Sequence, residues 1–190
     1  MSTIVAVARN NRICIAADSL TSFGDTRQPA EYVVDYDKVL PVAENCFIGI
    51  VGSAAHHLVI HNLFDKHADK IDFSDRFSIY ESMRLVHPIL KDEYFLNSKD
   101  DEDDAYESSR VDALIVNPQG IFGLYSLREV DQYSRFWAVG SGAEFALGAM
   151  KVAYELYEDA DEIARAGIEA GACFDSSSAL PMTSYSVEMA

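Results

Sequence analysis

The sequence is short of basic residues. It carries 15 Lys and Arg against 31 Asp and Glu, a formal net charge of −16. A surface that negative repels phosphate backbones and anionic headgroups, which sets aside nucleic acid and membrane as partners. Cysteine is scarce as well. Cys14, Cys46 and Cys173 are odd in number and far apart, which excludes a disulfide frame or a cysteine zinc site and fits a reducing compartment. No apolar run is long enough to span a bilayer. The stretch Met1–Arg9 has no basic head before its apolar residues, so no targeting signal is read and the cytoplasm is the expected compartment. Linker-like stretches and internal repeats are missing too. The 190 residues, 49% of them hydrophobic, are therefore expected to form one domain, 1–190, with a real core.

What is present is ordered in blocks. Residues 3–9 and 12–18 read as two strands joined at Asn10-Asn11, a hairpin signal. Their apolar residues fall on both faces, so both faces are expected to be covered. Residues 32–40 and 45–52 read as further strands. Ala55, Leu58, Val59, Leu63 and Phe64 recur with helical spacing from Ala54 to about Lys70. A second helix is predicted from about Asp75 to Phe95, loosened near Pro88. The run Lys99–Asp104 reads as a solvated acidic loop. Strand patterns return at 111–117, 121–127 and 134–139, with a turn at Asn117-Pro118-Gln119-Gly120. Gly140-Ser141-Gly142 opens a third helix, a fourth ends at the serines 176–178, and a last strand falls near 182–188. Strands grouped apart from helices predict an α+β protein with two stacked sheets and helices outside them.

Ser2 is the candidate nucleophile. A serine at this position alone says little, because it simply permits removal of the initiator methionine. A nucleophile that is also the chain terminus, however, carries its own base. An α-amine has an ordinary pKa of about 7.7–8.0, close enough to neutrality to accept the hydroxyl proton. Such a site needs a stiff strand behind it, and Thr3-Ile4-Val5-Ala6-Val7 supplies one.

The segments Ser2–Val7, Ala16-Ala17-Asp18, Gly24-Asp25-Thr26, Gly52-Ser53-Ala54-Ala55 and Ala138–Gly142, in that order, resemble the proteasome β-type peptidases, and HslV among them. The resemblance covers nearly the whole chain. It implies a four-layer αββα sandwich of two antiparallel sheets, the N-terminal-nucleophile (Ntn) hydrolase fold. It also implies a peptidase acting on peptides or unfolded proteins in homo-oligomeric stacked rings. Ser2 matches the terminal nucleophile, at sixteen positions before Asp18, where Thr3 would stand at fifteen. Asp18 matches the aspartate that pairs with the active-site lysine, and Lys38 matches that lysine across a small insertion. Gly52 matches the oxyanion glycine and Ser141 the serine beside the terminal amine. Asp175 and Ser178 match the D-x-x-S segment that orients the nucleophile. Thr21, Ser22, Ile50 and Ala54 would line the peptide groove. The resemblance requires no cofactor, and it allows a structural monovalent or divalent cation on the carbonyls of Ala172, Asp175 and Ser178. Two features depart from HslV, a serine nucleophile and the long acidic loop, and they point to the branch called the betaproteobacterial proteasome homologue. The resemblance names an ATP-dependent unfoldase as partner. The C-terminal segment Tyr185–Ala190 speaks against a standard partnership of that kind.

Plainer readings stand beside these. Ser2 read alone is a processed terminus with no role, and Asp18 and Lys38 are a surface pair. His56, His57 and His61 share a helix but lack the spacing of a zinc site, so they read as packing or surface residues. The competing functions are a non-catalytic ring subunit and an Ntn amidase acting on a small molecule.

Overall fold

The structure, a computed structural model, describes residues 2–99 and 103–190. Met1 and three residues of the acidic run, Asp100, Asp101 and Glu102, lie outside the described residues.

The chain opens with the hairpin of β1 (Ile4–Arg9) and β2 (Arg12–Asp18). Asn10 and Asn11 both have positive φ, 48° and 63°, the backbone of a two-residue hairpin turn. A short hairpin follows, β3 (Thr21–Phe23) with β4 (Thr26–Gln28). Then come β5 (Val39–Ala43), β6 (Cys46–Val51), α1 (Ala54–Lys66) and α2 (Arg76–Asp92). The second half runs β7 (Asp112–Asn117), β8 (Gly120–Leu124), β9 (Val130–Tyr133), β10 (Phe136–Val139), α3 (Ala143–Leu156), α4 (Ala160–Phe174) and β11 (Met182–Glu188). Apart from the β3-β4 hairpin, the strands form two antiparallel sheets, β10-β1-β2-β11 and β5-β6-β7-β8-β9.

Three apolar layers hold this together, which makes the four-layer αββα sandwich expected from the resemblance. On β1, Ile4 and Ala6 point between the sheets and meet Leu114, Val116 and Ile121 of the second sheet. Val5 and Val7 point the other way and pack on Met150, Ile163 and Ile168 of α3 and α4. Ile48 and Ile50 of β6 face Ile60, Leu63, Ile79 and Met83 of α1 and α2. The both-face apolarity of β1 and β2 follows from this burial on two sides.

Several expected elements move. The strand expected at 32–40 is mostly irregular, with a 3-10 turn at Ala30–Tyr32 and strand only from Val39. The strand at 121–127 stops at Leu124, because the chain turns at Tyr125–Arg128 into β9, which the sequence pattern did not reveal. The hairpin β3-β4 falls between the predicted strands 12–18 and 32–40, where no strand is expected. Pro88 sits inside α2 without ending it.

Candidate active site

Strand register gathers the chemistry at one end of the first sheet. Ile4 lies opposite Ala17 on one side and Val139 on the other. Ser2 and Thr3, just ahead of β1, therefore sit between Asp18 at the end of β2 and Gly140-Ser141 at the end of β10. Met182 pairs with Asp18, which brings in the segment between α4 and β11. Ser2 fits there only because residue 140 is glycine. A Cβ there would stand 2.0 Å from the Ser2 carbonyl oxygen, and φ is +100°. Ser2 and Thr3 are both buried.

Asp18 is the hub. It is 0% exposed, and both of its oxygens are fully used. Oδ1 accepts from the Thr3 N–H (2.9 Å) and from Lys38 Nζ (2.7 Å). Oδ2 accepts from the Leu20 N–H (3.0 Å) and the Ala179 N–H (3.1 Å). Lys38, 7% exposed, is thus a buried cation with a buried counter-ion. Burial pulls its amine below the ordinary value, and the charges of Asp18 and then Asp175 oppose that.

A second network adjoins the terminus. Asp175 Oδ2 accepts from Ser141 Oγ and from Ser178 Oγ, each at 2.7 Å. Ser178 Oγ also lies 2.8 Å from Thr3 Oγ1. Ser178 has one proton and gives it to the carboxylate, so Thr3 is the donor in that contact. Burial alone would raise the Asp175 carboxyl, but the hydroxyls of Ser141 and Ser178 and the Ser177 N–H hold it below its usual value. Asp175 therefore stays ionised and fixes the direction of the Ser141, Ser178 and Thr3 hydroxyls.

Of the residues expected in the site, Ser2, Asp18, Lys38, Ser141, Asp175 and Ser178 converge in this way. Gly52 follows β6 with φ +123°, immediately before Ser53, which caps α1 by accepting from the Ala55 N–H. The positive end of α1 lies at this turn, a setting that favours developing negative charge. Thr21 and Ser22 are half-exposed on β3, and Ala54 is exposed at the start of α1. Ile50 is placed differently. It is 1% exposed and packed under α1 and α2, because the alternation of β6 turns it towards the helices with Ile48. It offers a ligand almost no surface. Ala172 is in the last turn of α4, with Asp175 and Ser178 in the turn after it. The Asp175 carbonyl accepts the Ser178 N–H at 3.2 Å and keeps a second lone pair, so an oxygen-seeking cation suits this turn chemically. His57 Nε2–H donates to the Ile50 carbonyl at 2.9 Å, a packing use. Sequence reasoning missed Thr3 as a member of the network and Asp37 beside the lysine. Neither carries a motif of its own.

No protein-family profile matches the chain. The proteasome subunit beta of Stackebrandtia nassauensis is 26% identical over 184 residues, which cover 89% of this chain. The chain spans 61% of the length of that curated relative. Among solved structures it is similar to Thiobacillus denitrificans BPH, both alone and in complex with epoxomicin. Each is 36% identical with a TM-score of 0.91, and 99% of this chain aligns with 98% and 99% of theirs respectively. The eukaryotic HslV from Trypanosoma brucei, 18% identical over 98% of this chain with a TM-score of 0.71, shares the fold. The architecture is therefore that of the Ntn hydrolases. Within it, the chain belongs to the proteasome β-type and HslV-like family.

Proposed function

We propose that this chain is a peptidase subunit whose nucleophile is Ser2 once Met1 is removed, acting on peptides or unfolded proteins within a homo-oligomeric ring. The observation that carries this reading is the buried Asp18 carboxylate, which holds Lys38 Nζ and the Thr3 N–H on one oxygen, directly behind Ser2. A buried lysine is costly, and one held against the chain terminus has an electrostatic use.

Ser2 Oγ attacks the peptide carbonyl carbon, and its proton passes to the free α-amine. Lys38, a like charge nearby, disfavours protonation of that amine and stabilises the developing alkoxide. The Gly52 N–H takes the oxyanion of the tetrahedral intermediate. The C–N bond then breaks, and the leaving amine carries off the proton. Water hydrolyses the Ser2 ester by the reverse proton path and restores the hydroxyl. Ser141, Asp175 and Ser178 hold the terminus in register, while Thr21, Ser22 and Ala54 flank the peptide. A cation on the Ala172, Asp175 and Ser178 carbonyls would stiffen the same turn.

The test is cleavage of fluorogenic peptides by the processed chain and by Ser2→Ala. The variant is expected to lose activity by about 1,000-fold or more. Equal turnover by the two would point instead to a ring subunit without chemistry of its own, with any cleavage coming from a contaminant.

A further inference from the structure

We propose that Asp37 is a positioning residue for Lys38, clamping the loop that carries the lysine onto β11 across the gap between the two sheets. The inference rests on the reading of Lys38 as the lysine that serves the nucleophile.

Lys38 belongs by sequence to the second sheet, at the entrance to β5. Its partner Asp18 belongs to the first. The stretch from Val33 to Lys38 has no regular structure. The Lys38 carbonyl accepts from the Ile50 N–H at 3.3 Å, a long bond. A four-carbon side chain on such a segment needs something to fix its root. Asp37 supplies it. Oδ1 accepts from the Val39 N–H (2.9 Å) and from Thr183 Oγ1 (2.8 Å), and Oδ2 accepts from the Tyr185 hydroxyl (2.6 Å).

Thr183 and Tyr185 are two apart on β11, so they share a face, and that face looks at the second sheet. Tyr185 stacks on Phe47 of β6 there, with ring centroids 4.8 Å apart. The Asp37 hydrogen bond, with burial behind it, pushes the Tyr185 phenol up to about 12, so it remains a donor at neutral pH. β5 and β11 are edge strands of different sheets. β11 is also the immediate neighbour of β2, which carries Asp18. The clamp therefore refers the lysine and its aspartate to the same sheet. The carboxylates that act on the Lys38 amine are those of Asp18 and Asp175. The hydrogen bonds of Asp37 go to the Val39 N–H and to β11, so it acts on the lysine through the backbone.

The experiment compares the processed wild-type chain with Asp37→Ala, Asp37→Asn and the pair Thr183→Val with Tyr185→Phe, with Lys38→Ala as reference. The readouts are kcat, KM and the pH profile on a fluorogenic peptide, and Tm. Asp37→Ala is expected to lower kcat by about 10- to 100-fold, the scale of a displacement near 1 Å, with KM unchanged. The acid limb of its pH profile should move to higher pH, because the displaced lysine no longer depresses the amine. The Thr183/Tyr185 variant should reproduce the loss with Asp37 still in place. Asp37→Asn keeps an acceptor for Val39 and Thr183 and should recover most of the rate. Should Asp37→Ala fail to fold, the hydroxyl variant and Asp37→Asn still decide the matter. Unchanged kcat and pH profile, or a lower Tm with kcat intact, overturns the clamp. If Lys38→Ala abolishes turnover while the clamp variants do not alter it, the clamp alone fails. If Lys38→Ala keeps full turnover, the underlying role of the lysine fails with it.

Discussion

At the scale of single residues, Asp18 organises the site by being overcommitted. Four donors converge on one carboxylate with no exposure to water. Asp18→Asn keeps the shape but turns one acceptor into an NH₂ group facing two donors, and leaves the buried Lys38 without its counter-ion. A stability loss of about 3–5 kcal/mol is expected, readable as a lower midpoint in urea, along with lost peptide cleavage. A variant as stable and active as the parent would show that the pair is incidental. The sequence made this pair legible through motif order and the sixteen-residue step from Ser2 to Asp18. The surrounding hydrogen bonds were not legible. Thr3, Leu20 and Ala179 act through backbone groups that every residue has. Asp37 finds its partners nearly 150 positions away, and only the fold brings them together.

At the scale of elements, the strands buried on both faces and the amphipathic helices were readable, because burial on two faces leaves an unbroken apolar run and burial of one helix face leaves a period near 3.6. What escaped was short or exposed. β3, β4 and β9 are strands of three or four residues with mixed polarity, too short for a pattern to emerge. The segment 32–38 mimics a strand in composition, but Tyr32 and Val34 are exposed and Asp37 is bonded to β11. Glycines in the helices separate packing from propensity. Gly148 on α3 is exposed, and a Cβ there would meet nothing within 4 Å. Gly148→Ala should therefore raise stability by about 0.5–1 kcal/mol. Gly171 on α4 lies against Thr3, next to the proposed nucleophile, where a Cβ would stand 2.5 Å from Thr3 Oγ1. Gly171→Ala should lower stability by about 1–3 kcal/mol despite the better helix former, and should slow cleavage by displacing Thr3. Thermal melts and turnover of the two variants check this. Equal effects would mean that α4 does not press on the terminus.

At the scale of the whole molecule, the net charge of −16 and the acidic run before β7 bear on what the protein acts on. Active sites enclosed in a ring would present that charge to entering peptides. Basic peptides should be cleaved faster than acidic ones at low salt, and the preference should shrink as salt rises. Cleavage indifferent to both would contradict this. Native mass spectrometry should give a closed multiple of the 21.0 kDa chain, where a monomer would favour the small-molecule amidase. The central claim is that Ser2 reacts through its hydroxyl and its own amine. A peptide epoxyketone closes its ring only on a residue that offers both groups. Intact mass after incubation should show a chain beginning at Ser2 with one inhibitor added, and no adduct on Ser2→Ala. A chain confirmed to start at Ser2 that gains no mass, or an adduct that survives Ser2→Ala, contradicts the account.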